Sequence, residues 1–84
     1  MKEVTLDSVL SVVNESKHFQ IDKDSIDVNL QDIGMDSIIF IQLIVSLEEE
    51  FDCEIPDSKL IMSEMDTIQK ILRILKDLYN EQIG

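Results

Sequence analysis

The stretch that decides the fold reads DSIIFIQLIVSLEEEF and occupies positions 36–51. Counted at 100° per residue, its apolar side chains separate into two faces. One face is a continuous stripe formed by Phe40, Leu43, Ile44, Leu47 and Phe51. Because residues at i, i+3, i+4 and i+7 share one side of a helix, this stripe predicts an α-helix over 37–51 that packs against a core.

A second apolar line runs along the opposite side of the same predicted helix. Its apolar members are Ile38, Ile41 and Val45, with Ser37 at one end and Gln42, Glu48 and Glu49 beside them. Two interpretations are open: a small bundle buries both faces of the helix, or the second face docks another protein. We favour docking, because exposed apolar residues rimmed by charge commonly mark protein contacts.

Positions 30–38 read LQDIGMDSI, so that Asp36 and Ser37 come directly before the predicted helix. This run resembles the attachment-site motif of the acyl carrier and peptidyl carrier protein family, in which a Gly is followed within a residue or two by Asp-Ser-Leu and then a helix. The later run LEEEFDCEIPD at 47–57 resembles the end of the family's second helix and the loop that follows. The likeness spans about 26–71.

The resemblance implies a carrier and not an enzyme. In such a carrier, a phosphopantetheinyl transferase would join 4'-phosphopantetheine from coenzyme A to Ser37, and the thiol of this arm would hold an acyl or aminoacyl group as a thioester. Asp36 would cap the helix and contact the transferase. The transferase, a loading enzyme and a downstream synthase or transferase would dock on Ile38, Ile39, Ile41, Gln42, Val45, Glu48 and Glu49.

Without the resemblance, Ser37 would be interpreted as an ordinary first residue of a helix. No residue offers its hydroxyl a general base, so the sequence does not indicate a serine nucleophile. The single Cys53 excludes an internal disulfide and a cysteine-based zinc cluster, and we expect it to be a loop thiol, with His18 on the surface. We therefore predict neither a catalytic residue nor a metal ligand.

Two positions depart from the fatty-acid type of carrier. That type has Leu and then Asp after the serine, and a Glu a few residues on, whereas this chain has Ile39 and Gln42. Replacing charge with apolar contact changes partner choice. We expect a carrier of polyketide, nonribosomal peptide or other specialised biosynthesis. The alternatives are a carrier of primary fatty-acid synthesis and a helical interaction module that never receives the prosthetic group.

The remaining segments predict two further long helices and one short helix. The first long helix covers 6–16 with Thr5 as its cap, and the last opens at Asp66 or Thr67, where Gln69 would complete a capping box with Asp66. A short helix over 57–62 follows Pro56. The long loop over 17–35 would be pinned to the core by Phe19, Ile21, Ile26, Val28, Leu30 and Ile33.

These elements predict an all-α protein: a small four-helix bundle with three long helices, one short helix and a long loop between helices 1 and 2. The resemblance implies the same architecture, the four-helix carrier fold. The 84 residues leave room for one domain, 1–84. In that loop, Gly34 would permit a backbone conformation that other residues resist. We expect a monomer.

Charge excludes two classes of partner. The net charge is −11, and between Lys23 and Lys59 there are ten acidic residues and no basic one. Nucleic acid and anionic membranes both require a cationic surface, so neither is expected as a partner, whereas a basic protein would be steered to this segment. With no signal peptide or membrane span in the sequence, we expect the chain to remain in the cytoplasm.

Overall fold

Three α-helices and four short 3₁₀ turns build the part of the chain that the structure describes. The computed structural model describes residues 2–17 and 19–83, and no strand occurs among them. The helices are α1 (Leu6–Glu15), α2 (Ser37–Phe51) and α3 (Ile68–Ile83). The predicted all-α class is therefore confirmed. His18, predicted to lie on the surface, is outside the described residues.

α1 begins at a reciprocal cap. The Thr5 hydroxyl accepts a hydrogen bond from the Ser8 backbone N–H at 3.2 Å, and the Ser8 hydroxyl accepts one from the Thr5 N–H at 3.1 Å. This arrangement satisfies two backbone donors that a helix start otherwise leaves unpaired, and it confirms Thr5 as the cap. α1 packs against both α2 and α3.

The core lies between the three helices and confirms the predicted stripe of α2. All five stripe residues are buried: Phe40, Leu43, Ile44, Leu47 and Phe51. They join Val9 and Val13 of α1 and Ile71 and Leu75 of α3 in one apolar cluster. Burying each such side chain contributes roughly 1.5–3 kcal/mol, so this cluster fixes which side of α2 faces outward.

The long loop is only partly held by its apolar side chains. Phe19, Ile21 and Leu30 are buried as predicted, but Val28 and Ile33 are 37% and 45% exposed, so the prediction was wrong for these two. Backbone hydrogen bonds hold this region instead. The Gln69 N–H donates to the Ile26 carbonyl at 3.2 Å, and the Leu30 N–H donates to the Asp66 carbonyl at 2.7 Å. The loop also contains two 3₁₀ turns, Lys23–Ser25 and Leu30–Ile33.

The predicted short helix over 57–62 is wrong. That region forms two separate 3₁₀ turns, Asp57–Lys59 and Met62–Glu64. Ile61 between them has extended backbone angles (φ −114°, ψ 116°), and neither turn has a side-chain cap. An extended residue cannot continue the hydrogen-bond pattern of a helix, so the chain passes from one turn to the next.

The start of α3 differs from the predicted capping box. The Thr67 hydroxyl accepts the Lys70 backbone N–H at 3.1 Å, so Thr67 caps the helix and Asp66 does not pair with Gln69. Asp66 turns inward and is only 7% exposed. Its carboxylate is occupied by other partners, which explains why the box does not form.

Candidate functional site

Asp36 and Ser37 form the start of α2. The Asp36 carboxylate accepts the Ile39 backbone N–H at 2.9 Å, and the Asp36 carbonyl accepts the Phe40 N–H at 2.8 Å. Asp36 is thus the N-cap, and Ser37 is the first helical residue. The Ser37 side chain is exposed, and its hydroxyl forms no hydrogen bond with the described residues around it. An exposed, unengaged hydroxyl is open to another enzyme.

A tight turn delivers the chain to this point. Gly34 has φ 117°, in the left-handed region that side chains with a Cβ rarely adopt, which confirms the expected conformational role. The Met35 N–H then donates to the Leu30 carbonyl at 2.9 Å. Because Leu30 and Met35 are both buried, the turn is anchored on each side of Gly34, and the direction in which α2 starts is fixed.

The second apolar face of α2 is uncovered. Ile38 is 67% exposed, Ile41 62% and Val45 46%. Of the two interpretations open from the sequence, burial of both faces is therefore excluded. We call Ile38, Ile41 and Val45 the apolar strip. Its use as a docking surface stays a prediction.

The other predicted partner residues occupy different environments. Ile39 is half-buried against the core and does not lie on the strip, whereas Gln42 and Glu49 are exposed. Glu48 is half-buried, and its Oε2 atom accepts the Ile55 backbone N–H at 2.9 Å. The side chain of Glu48 therefore holds the loop that follows α2, a role that the sequence pattern did not indicate.

An open cleft of about 480 Å³ lies beside Ser37. Its walls are almost entirely apolar and come from Phe40, Ile41, Ile44, Val45, Leu60 and Met62, with Ser37 and Glu48 completing the lining. Such a volume is within the range of small-molecule sites in proteins. The sequence did not predict this cleft, because the irregular segment 60–62 that closes one side of it was predicted as part of a short helix.

A second, more open groove of about 950 Å³ lies at the other end of α2 and is acidic. Its lining includes the carboxylates of Glu48, Glu49, Asp52, Glu54 and Asp57 and no Lys or Arg. Burial raises the pKa of the Cys53 thiol in this groove, and the neighbouring Glu48 carboxylate raises it further. The groove therefore presents a negative potential that favours basic protein surfaces.

Two negative findings complete the site. Within the described residues, no three His, Cys, Asp or Glu side chains are grouped so that they could hold a metal ion. Among the helices of residues 2–17 and 19–83, none combines the length and apolar character needed to cross a membrane.

Comparison with known proteins identifies the class. The chain matches the family described as "Phosphopantetheine attachment site" over residues 16–75, which includes the whole of α2 and the turn before it. It therefore belongs to the family of phosphopantetheine-binding carrier proteins, whose stand-alone members are its relatives. Proteins of this family act as carriers that interact with a phosphopantetheinyl transferase and with acyl-loading enzymes.

Individual relatives come from two groups. The D-alanyl carrier protein of Lactobacillus helveticus is 36% identical over 78 residues, covering 92% of this chain and 98% of the relative. The D-alanyl carrier protein of Lactobacillus acidophilus has the same identity and coverage. The acyl carrier protein of Campylobacter jejuni subsp. doylei is 42% identical over 66 residues, covering 71% of this chain and 83% of the relative.

The prosthetic group of the chain is thus a covalently attached 4'-phosphopantetheine. The start of α2 fits such a group. A phosphodiester is an anion, and anions are stabilised at helix N-termini by the helix dipole and by unpaired backbone N–H groups. The cleft beside Ser37 has the apolar walls that an acyl-bearing arm would contact.

Proposed function

We propose that Ser37 is the residue to which 4'-phosphopantetheine is attached, and that the chain shuttles thioester-bound acyl or aminoacyl groups between enzymes. The observation that carries this proposal is the exposed, unengaged Ser37 hydroxyl at the first position of α2. In the described chain, α1 and α3 begin at Leu6 and Ile68, so no other α-helix presents a serine in this way.

In the attachment reaction, residues of this chain bind the transferase and orient Ser37, and the transferase supplies the catalytic groups. Asp36 caps α2 and thereby sets the direction of the Ser37 side chain. During attachment, a bond forms between Ser37 Oγ and the phosphorus of the pantetheine phosphate as the bond to the adenosine bisphosphate half of coenzyme A breaks. The hydroxyl proton leaves to a base of the transferase, since no described side chain is hydrogen bonded to Ser37. The thiol of the attached group then supplies the thioester linkage.

We infer that partners dock along the apolar strip and are steered by the acidic groove. Ile38, Ile41 and Val45 offer apolar contact, and Gln42 and Glu49 lie exposed beside them. Ile39 is half-buried against the core, so only part of its side chain is open to a partner, and Glu48 holds the loop at the far end of the strip. A basic patch on the transferase or the loading enzyme fits the carboxylates at that end, because long-range attraction accelerates association.

For the cargo, we propose an aminoacyl or acyl group loaded by an adenylating enzyme, in polyketide, nonribosomal peptide or other specialised biosynthesis. Ile39 and Gln42, where fatty-acid carriers have acids, support this assignment. So does the likeness to D-alanyl carrier proteins, whose name specifies an aminoacyl group and whose length is almost fully covered. D-alanine is accordingly the first amino acid to test.

A carrier of primary fatty-acid synthesis is the second candidate. The likeness to acyl carrier proteins of Campylobacter jejuni and the apolar walls of the cleft favour it. Loading separates the two candidates. The holo chain would be offered D-alanine and ATP with an adenylating enzyme, or malonyl coenzyme A with a fatty-acid malonyl transferase. Preferential malonyl loading would overturn the specialised assignment.

Attachment itself is tested by intact mass after incubation with coenzyme A and a broad-specificity transferase. The wild type and the matched control Ser58→Ala, an exposed serine in a turn, should each gain one phosphopantetheine. Ser37→Ala should gain none. Addition that survives Ser37→Ala would refute the assigned residue, and no addition to the wild type would favour the interaction module.

A further inference from the structure

Asp66 is the one buried charged residue in the described part of the chain, and it joins two segments that are distant in sequence. One carboxylate oxygen accepts the Lys70 ammonium at 2.9 Å, and the other accepts the Asn29 side-chain amide at 3.3 Å. The Asp66 backbone carbonyl accepts the Leu30 N–H at 2.7 Å. Asp66 thus holds residues 29 and 30 of the long loop against the start of α3.

Lys70 extends this connection in a second direction. Its ammonium donates to the Asp66 carboxylate and also to the Ser63 backbone carbonyl at 3.1 Å. Ser63 is in the 3₁₀ turn Met62–Glu64, and Met62 is a wall of the cleft beside Ser37. One ammonium group therefore ties the cleft wall to the buried carboxylate.

The connection continues from the loop to the start of α2. Leu30, held by Asp66, accepts the Met35 N–H at 2.9 Å through its own carbonyl, and Met35 directly precedes Asp36 and Ser37. A continuous set of hydrogen bonds thus runs from Ser63 through Lys70, Asp66 and Leu30 to Met35, the residue before the cap of α2.

We propose that Asp66 and Lys70 are positioning residues that set the orientation of Ser37 for modification and couple it to the cleft wall at 62–64. This inference rests on the proposed attachment at Ser37. Loss of the Lys70 ammonium releases Ser63 and leaves the buried Asp66 carboxylate with no positive partner, held by the Asn29 amide alone among its described side-chain partners. The loop before Ser37 and the turn beside the cleft therefore loosen together. Ile41 and Val45 of the apolar strip also line the cleft, but they are on α2, whose position is fixed by its buried stripe and not by Asp66 or Lys70. We therefore expect the transferase to dock on the strip as before.

The kinetic test compares Lys70→Met with Lys76→Met in the apo chain. Both changes remove one positive charge from an exposed lysine of α3, but Lys76 has no ion pair or hydrogen bond among the described residues. We expect Lys70→Met to lower kcat of the transferase by about fivefold, the loss of roughly one hydrogen bond, with KM unchanged. Lys76→Met should change neither. Equal values for the two variants, or an effect on KM alone, would overturn the proposal.

Hydrogen exchange provides a readout that does not depend on Ser37 being the attachment residue. In Lys70→Met, the amides of Leu30 and Met35 should exchange about fivefold faster relative to those of Leu43 and Leu47 in the middle of α2. A uniform acceleration across all four amides would mean general destabilisation and would contradict the proposed connection through Asp66 and Lys70. If exchange at Leu30 and Met35 is accelerated locally but the wild type is not modified at Ser37, the connection through Asp66 and Lys70 stands and only the proposed function fails.

Asp66→Asn provides the second variant in case Lys70→Met does not fold. It keeps nearly the same side-chain shape, with an amide nitrogen in place of one carboxylate oxygen, but removes the charge that holds Lys70. The same local acceleration at Leu30 and Met35 is expected. Wild-type exchange at both amides in this variant contradicts a positioning role for Asp66.

Discussion

Glu48 and Ile55 are joined across the C-terminal end of α2 by a 2.9 Å hydrogen bond from the Ile55 N–H to the Glu48 carboxylate. The Glu48 backbone carbonyl also accepts the Cys53 N–H at 3.0 Å. Glu48 therefore organises the loop that forms one side of the acidic groove. Its neighbour Glu49 is exposed and makes no hydrogen bond of this kind in the described chain.

Glu48→Ala should lower the free energy of unfolding by about 1 kcal/mol, because the buried Ile55 loses the acceptor of its N–H. Glu49→Ala is the matched control and should stay within about 0.5 kcal/mol of the wild type. Urea unfolding of both variants measures the difference. Equal losses would mean that the Glu48–Ile55 bond contributes nothing to stability.

Asp36→Ala should destabilise the chain by about 1 kcal/mol, the usual cost of losing an N-cap. Asp36→Asn should cost much less, since Asn caps helices about as well as Asp. Asp32→Ala removes another exposed carboxylate nearby and serves as the control for charge. Thermal or urea unfolding in which Asn and Ala cost the same would show that the negative charge, and not the cap, stabilises α2.

Asp52→Gly should stabilise the chain by about 0.5–1 kcal/mol. Asp52 ends α2 in the left-handed conformation (φ 54°, ψ 57°), which strains residues that have a Cβ but not glycine. Its carboxylate also lies at the negative end of the helix dipole. Asp52→Asn removes only the charge and should gain less, and Asp52→Ala should not gain from the backbone. A melting temperature of the Ala variant at or above that of the Gly variant would contradict this order.

Cys53 should react slowly with iodoacetamide near neutral pH. Its pKa is raised by burial and by the Glu48 carboxylate, so a smaller fraction is thiolate than in a free cysteine. The rate in the apo chain should rise about tenfold per pH unit below that pKa, and urea should accelerate the reaction at fixed pH. The Asp52→Asn chain should react somewhat faster than the wild type, because the Asp52 charge also raises the pKa. A folded rate equal to the rate in urea would contradict the shift.

Ile41→Ser should raise KM of the transferase about three- to tenfold, the loss of apolar contact from one large side chain, with little change in stability. Ile41 is already 62% exposed, so the fold loses little when it is replaced. Val28→Ser, at an exposed apolar position of the long loop, is the matched control and should leave KM unchanged. Equal KM values for the two variants would contradict the proposal that the transferase docks on the apolar strip.

Helical periodicity was enough to predict α2 in detail, because one stripe of the helix is buried and the opposite one is exposed. Ile38 and Phe40 are two positions apart, yet one is exposed and the other buried, as counting at 100° per residue requires. The capping pattern of Thr5 likewise identified the start of α1. These features depend on residues close in sequence, which is why a pattern could predict them.

The parts that could not be predicted depend on contacts distant in sequence. Asp is a common helix-capping residue, so the sequence predicted that Asp66 would cap α3. Its side chain instead pairs with Asn29, 37 positions earlier, and is buried. The apolar residues Leu60 and Met62 fell within the predicted short helix. Ile61 between them is extended, so the segment forms no helix there and lines a cleft beside α2. From its position in the sequence, Glu48 is expected to be an exposed acid, and only the structure shows its hydrogen bond to Ile55.

Residue 34 must tolerate a positive φ, but the space around it does not limit the size of its side chain. A Cβ on Gly34 would have no heavy atom within 4 Å, so there is room for a side chain, but φ 117° strains any L-residue there. The mirror-image form of alanine prefers positive φ and would occupy this space without strain. A chemically synthesised chain with that residue should keep the turn into α2 and lose less backbone freedom on folding than glycine does.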